Sequence, residues 1–465
     1  MQKKLWIVFL SVLLSACAVG PDYKQAPSIE VGEHYKAAAL RDWVSSPHDD
    51  LSREDWWLRF QDNTLTMLMN ELNQYNFQLA QAVANYEAAA ANVKSARSGL
   101  FPSLGVDANF SRSGGDNQSV SEAYQGNASV SWEIDLWGKI RRQLRASQAG
   151  LQASAADMAN IRLSLQGQLA KAYFGLRMSD EQAKLQQQMV SRYEQAVQMN
   201  QNRYNQGVAA RADVVSAMTQ LENARAQAIA LESTRQQYES AIAVLLGRAP
   251  SQLNMAPQAV VLHIPNIPTV LPSALLLRRP DIYAAERAVA QANEEIGMAA
   301  AAWLPSLNLS ASVGAQASSW SDWISAPLNF WSLGPKLAMT ILDGGARSAA
   351  VASSQAAYRA KVAAYRQTVL NALKEVEDNM TATSVLERQY AVQQRALAAA
   401  RESLQITRNQ YQAGLVNYLN VIQVENTAYN TEISTLQLMN QRLNTAIDLI
   451  MALGGGWSAT TLQNQ

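Results

Sequence analysis

Along most of this chain apolar residues recur at helical spacing, but in four short stretches the period drops to two. The clearest stretch runs from Asn127 to Leu136, where Ala128, Val130, Trp132, Ile134 and Leu136 alternate with Asn127, Ser129, Ser131, Glu133 and Asp135. Strict alternation marks a strand with one oily face and one wet face. After Gly138 the pattern stops. From Lys139 to about Asn202 there is almost no Gly or Pro, and Leu144, Leu151, Met158 and Leu165 recur at seven-residue spacing. That run predicts a very long helix entered directly from the strand. A weaker copy lies later, where Leu337, Met339 and Ile341 alternate before Gly344 and Gly345 lead into another Ala-rich run.

Taken in order, a first helix passes through Leu65, Leu68, Met69 and Leu72, and a second runs from about Phe77 to Ser98. Leu104, Val106, Ala108 and Phe110 then alternate with polar residues, predicting a strand over about 103–112. The polar, Gly-bearing segment Ser113 to Tyr124 reads as a loop before the second strand, about 127–137. The long helix turns at Tyr204–Gly207, and a return helix reaches Leu246 and Gly247. After a connector at 251–272 the same order recurs, with strands at about 307–315 and 331–341 and a loop near Trp320, Trp323 and Trp331. FPSL at Phe101 is echoed by WLPSL at Trp303, YNQG at Tyr204 by YQAG at Tyr411, and LGR at Leu246 by LGG at Leu453. Three echoes in order at nearly constant offset predict a duplicated unit, 64–250 and 273–457, flanked by a segment at 17–63 and a tail at 458–465.

Strands of about ten residues have the length needed to cross a membrane at a tilt. Four strands cannot close a barrel, and an open edge in lipid leaves backbone groups unpaired at several kcal/mol each. Other copies must supply the missing strands. Two copies would make a plug-sized barrel of about eight strands, and three a twelve-stranded barrel with an open pore. The expected fold is therefore mainly α, with a four-strand contribution to a membrane β-barrel shared by a homotrimer. Val130, Trp132, Ile134 and Leu136 would face lipid, and Ser129, Ser131, Glu133 and Asp135 the lumen. The long helices would pack side by side as a helical cylinder. A plain coiled-coil rod is the alternative that the heptads alone would favour.

Composition narrows the chemistry. The 465 residues hold 38 basic and 38 acidic side chains, a balance that gives no reason to expect nucleic acid. There is one cysteine, Cys17, and the three histidines lie far apart, so neither a disulfide framework nor a metal-ligand spacing is present. No phosphate loop or nucleophile elbow appears, and neither an enzyme nor a resident cofactor is expected. Lys3 and Lys4 precede an apolar run from Leu5 to Leu14, the size of a signal-peptide core, which makes 1–16 a signal peptide. The residues LSAC that close it resemble a bacterial lipobox. That resemblance implies a covalent lipid on Cys17, and the Ala18 that follows it favours sorting to the outer membrane.

CAVGPDY (from Cys17), DWW (from Asp55), LRRPDIYAAE (from Leu277), EEIGMA (from Glu294) and ALGGGW (from Ala452) together resemble the outer-membrane factors of the TolC superfamily. The lipobox and GPDY place the likeness nearest the lipoproteins of resistance-nodulation-division efflux systems. The resemblance implies a trimer with a twelve-stranded outer-membrane barrel, a long periplasmic α-barrel and an equatorial belt. It implies as partners a periplasmic adaptor and an inner-membrane resistance-nodulation-division transporter, with outer-membrane lipid around the barrel. Small molecules would be conducted passively to the exterior. Adaptor hairpins would dock at the two tips, Gly207 with Val208 and Gly414 with Leu415, although a glycine there also serves simply to stop a helix. A periplasmic gate would be formed by Leu419 and by Gln423, which stands where the family has Asp. Asp213 matches a family gate position and reads equally well as an acid at a helix N-terminus. Two alternatives remain at this level: a duct for an ABC-type exporter and a lipid-anchored coiled-coil spacer. The substrate is not written in these residues.

Overall fold

The computed structural model describes residues 18–27, 29–40, 43, 55–116, 118–258, 263–267, 275, 278–325 and 330–459. Cys17 and the signal peptide lie outside them. Two short 3-10 turns, Lys36–Leu40 and Trp56–Phe60, precede α1 (Asn63–Tyr75) and α2 (Phe77–Ser98). Then come β1 (Ser103–Gly115), β2 (Gln118–Ile134), α3 (Lys139–Asn205) and α4 (Arg211–Leu245). The order recurs as α5 (Pro280–Ala301), β3 (Ser306–Ala317), the short α6 (Trp320–Ser325), β4 (Phe330–Ala338), α7 (Ala346–Gln412) and α8 (Tyr418–Ala452). Lengths recur with it: α2 and α5 have 22 residues each, α3 and α7 have 67, and α4 and α8 have 35. None of the described helices is long and apolar enough to cross a membrane.

The chain divides into two compact units, each drawing three segments from along the sequence. The first comprises the described residues of Met1–Ile29, Val83–Asp157 and Asp281–Thr368. It holds a four-stranded antiparallel sheet in the order β1-β2-β3-β4. The strands differ from the predicted ones in a consistent way. Most of Ser113–Tyr124, expected as a loop, is strand, because its polar residues find cross-strand partners: Arg112 faces Glu122 at 3.6 Å and the Ser113 and Ser121 hydroxyls meet at 3.0 Å. At the other end β2 stops at Ile134 and β4 at Ala338, short of Leu136, Met339 and Ile341.

Beyond each of these strands an aspartate turns the chain into a helix, immediately after β2 and five residues after β4. The Asp135 carboxylate accepts from the backbone N–H groups of Ile140 and Arg141, each at 3.0 Å, and pairs with the Arg141 guanidinium at 3.0 Å. Asp343 repeats the device, accepting from the N–H groups of Gly345 and Arg347 at 3.1 Å and from the Arg347 side chain at 2.6 Å. A carboxylate at a helix start satisfies N–H groups that have no partner within the helix. Asp135, predicted on the lumen face of β2, is thus off the strand, and its side chain is almost buried in that cap.

The residues that follow Cys17 are built into the same unit. Val19 donates to the Trp137 carbonyl at 3.1 Å. Arg142, at 0% exposure, donates to the Gly20 and Pro21 carbonyls at 3.0 Å and forms ion pairs with Glu294 at 2.9 Å and Asp22 at 3.3 Å. Gly20 has a φ of 104°, and a Cβ there would stand 2.6 Å from the Gly297 Cα, so backbone meets backbone. Next along, Tyr23 donates to Glu286, and burial and that carboxylate push the phenol above its usual range.

The second unit comprises the described residues of Glu30–Ala82, Met158–Pro280 and Val369–Gln465. Leu65, Leu68, Met69 and Leu72 of α1 are buried, as the helical spacing predicts, beside Trp56, Trp57 and Phe60. The start of the connector is fastened by a charged cluster on α3 and α4. Met255 N–H donates to Glu239 at 2.5 Å, Arg177 donates to the Ala256 carbonyl at 3.0 Å, and Asp180 ties Arg177 (3.0 Å) to Arg235 (2.8 Å).

Candidate functional site: the sheet faces and the hairpin ends

Directly opposed residues of an antiparallel sheet share a face, so the register sorts every strand residue. One face carries Leu104, Val106, Ala108 and Phe110 of β1, Ala128, Val130 and Trp132 of β2, Leu307, Leu309, Ala311 and Val313 of β3, and Trp331, Leu333 and Leu337 of β4. Leu104, Val106, Phe110, Trp331, Leu333 and Leu337 are all more than half exposed. The other face carries Ser103, Asp107 and Asn109, then Ser129, Ser131 and Glu133, then Asn308, Ser310 and Ser312, then Ser332 and Lys336. Ser129, Ser131 and Glu133 therefore lie on this polar face, and Glu133 pairs with Lys139 at 3.3 Å. Among the described residues the outer edges of β1 and β4 have no neighbouring strand.

The hairpin ends belong to the second unit. Gly207 and Gly414 have φ values of 76° and 77°, the left-handed region in which glycine carries no steric penalty. At each the helix closes in the same way. Val208 N–H donates to the Arg203 carbonyl at 3.0 Å and Gly207 N–H to Tyr204 at 2.9 Å, while Leu415 donates to Gln410 at 2.9 Å and Gly414 to Tyr411 at 3.0 Å. This paired closure satisfies carbonyls that the helix leaves open. Val208 and Leu415 are exposed beyond it.

Above the tips the two hairpins are joined by a small cluster in which Ala196, Ala217, Tyr411, Tyr418, Val421 and Ile422 pack together. The Tyr411 hydroxyl donates to Asn200 at 3.2 Å, and the Arg203 guanidinium lies 5.0 Å from the centre of the Tyr411 ring. Sequence reading missed these tyrosines, although Tyr204 and Tyr411 head the two echoed motifs. Leu419 and Gln423 are one turn apart on the exposed side of α8, away from this cluster. Leu419 is 56% exposed. Glu425 points the other way, buried and paired with Arg408. Its charge and, above all, burial hold the hydroxyls of Tyr193 and Tyr418 well above the usual phenol range. Asp213 is on the other hairpin, half-buried in the first turn of α4. No group of three or more His, Cys, Asp or Glu side chains able to hold a metal occurs among the described residues.

A sheet with one oily and one wet face on a helical chain of repeated order has counterparts among known proteins. The family model for outer membrane efflux protein matches this chain twice, at residues 68–248 and 271–455. The chain belongs to the outer membrane efflux protein family. This family comprises efflux channels, not enzymes. CusC of Escherichia coli O6:H1, a cation efflux system protein, is 27% identical over 462 residues, 98% of this chain and 99% of that one. The outer membrane protein OprJ of Pseudomonas aeruginosa is 28% identical over 460 residues, 97% of this chain and 95% of OprJ. The Neisseria gonorrhoeae MtrE outer membrane channel, solved in an open state, superimposes with a TM-score of 0.84 at 28% identity, covering 95% of this chain and 99% of MtrE. The two matched stretches of this efflux channel each contain one helical hairpin and two of the four strands.

Proposed function

We propose that this outer membrane efflux protein is one third of a passive exit duct, a homotrimer whose three sheets close a twelve-stranded barrel. The observation that carries this reading is the sheet itself: one face apolar and exposed, the other polar, and both edges without a partner among the described residues. In lipid such edges must be paired, and edge-to-edge joining of copies pairs them. Ser129, Ser131 and Glu133 then line the lumen. An adaptor protein in the periplasm docks at the exposed Val208 and Leu415 tips, and a proton-driven inner-membrane transporter of the resistance-nodulation-division type supplies the cargo. Leu419 and Gln423 form the gate, with Asp213 on the neighbouring hairpin. A covalent lipid on Cys17 fastens the chain to the outer membrane. The cargo is a class of small molecules. CusC is named for cations, and on this reading selection among cargoes is left to the pump.

The test combines single-channel conductance in a planar bilayer with the oligomeric state of the same sample. A trimer with low conductance that rises in Leu419→Ala is the expected result. Leu419 is exposed in the monomer, so its truncation costs little folding energy and the readout reports the aperture. A monomer without conductance overturns the duct, and a trimer unaffected by Leu419→Ala overturns the gate alone. Incorporation of labelled palmitate that persists in Cys17→Ser would overturn the lipid assignment.

A further inference from the structure

The connection between β3 and β4 does not simply cross the end of the sheet. It contains α6, and α6 folds back over the apolar face. The Trp323 ring lies above Gly126, where a Cβ would meet it at 2.8 Å. Gly126 is opposed by Ala108 on β1 and Ala315 on β3, so three small residues side by side form a notch in the oily face that receives the indole. Trp320 continues the contact, its ring 5.8 Å from Tyr124 and 5.3 Å from Trp323, and Tyr124 in turn lies 4.7 Å from Phe110. The helix is two-sided. Trp320 and Ile324 are 57% and 63% exposed, while Ser319 caps the Asp322 N–H at 3.2 Å and Ser325 bonds back to the Ser321 carbonyl at 2.7 Å.

We infer that α6 is an anchor for the lipid surface, seated at the boundary between headgroups and acyl chains of the outer leaflet. The inference deepens the barrel reading and rests on it. Three observations favour lipid over other occupants. α6 packs chiefly on the central strands β2 and β3, away from the edges where another copy would join. It covers the apolar face, opposite the polar face assigned to the lumen. Its level also matches membrane dimensions. Trp132 and Trp137, whose indoles donate to the Leu100 and Pro305 carbonyls at 3.1 and 2.8 Å, mark the helix end of the sheet. Tyr124 and Trp132 are eight residues apart on β2, about 27 Å along a strand and about 21 Å in height at a tilt of about 40°, close to the apolar band of about 25 Å between aromatic girdles. Aromatic side chains with a polar edge collect at those two levels.

The experiment uses the full chain in vesicles of phosphatidylcholine brominated high or low on the acyl chain. Trp320→Phe should remove a component of tryptophan fluorescence that bromine quenches, more strongly from the high position than from the low one. Trp331→Phe, on the same face of β4, serves as the reference. If Trp331→Phe removes a quenched component and Trp320→Phe does not, the anchor is overturned and the barrel stands. If neither does, the barrel reading fails as well. A nitroxide on Ile324→Cys gives an independent readout: faster collision with oxygen than with a water-soluble nickel chelate supports the anchor, and the reverse overturns it.

Discussion

At the scale of single residues, the heaviest commitment in the first unit is Arg142. A fully buried guanidinium is tolerable because Glu294, Asp22 and two carbonyls engage its two terminal nitrogens. Arg142→Met should cost about 3–5 kcal/mol, because it leaves Glu294 charged, buried and alone. The double variant Arg142→Met with Glu294→Met should be less destabilised than the single one, as measured by denaturant midpoint. Asp157 carries the opposite lesson. Burial raises its pKa above the ordinary carboxylate value, so the folded state holds its proton over a pH range in which the unfolded chain has lost it. Stability should therefore fall as pH rises from about 3.9 to the folded pKa, and remain lower above it. Asp157→Asn is expected to raise the midpoint at neutral pH and to change little in strong acid. The alternation around Trp132 made the faces of the strands legible, since parity alone decides them. Asp135 was misplaced by the same rule, because its parity fits the polar face while its hydrogen bonds belong to α3. Nor could a linear reading reach the cluster of Arg177, Asp180, Arg235 and Glu239, whose two local pairs lie 55 residues apart in the chain and meet only when α3 packs on α4.

Among elements, the helix ends form a family of their own. Gly207, Gly247, Gly414 and Gly454 all have positive φ and close their helices with the same pair of backbone bonds. Their surroundings differ. Nothing lies within 4 Å of a Cβ at Gly207 or Gly414, whereas at Gly454 it would stand 2.0 Å from the Arg278 carbonyl. Gly414→Ala should cost only the left-handed strain, about 1–2 kcal/mol, and Gly454→Ala considerably more; paired unfolding curves would check the contrast. The span of α2 and the start of α3 were predicted to the residue, with Gly99 and Gly138 as punctuation. The hairpin between β1 and β2 was not, since serines and glycines that read as a loop are tolerated in strands whose side chains pair across the ladder. The twisted placement of α6 on the oily face left no periodic trace, for it depends on a notch made by three strands at once.

For the molecule as a whole, the free edges of the sheet have a consequence in time. They are unlike: β1 is 13 residues long, while β4 has 9 and includes Pro335, which cannot donate to a ladder. Like edges are therefore poor partners, and in the proposed trimer the copies would join head to tail, the arrangement that closes into a ring. On the proposed duct, a newly made chain folds its helices from its own residues and finishes its membrane part by meeting other copies. Assembly should accordingly be slow and should accelerate steeply with protein concentration, a dependence that refolding into vesicles at graded dilution would reveal. Until that meeting the chain carries an oily sheet with open margins, the kind of surface that sticks to its own kind. Such a protein is exposed most in the interval between synthesis and closure, and a cell that makes it must either keep that interval short or have the unfinished copies escorted.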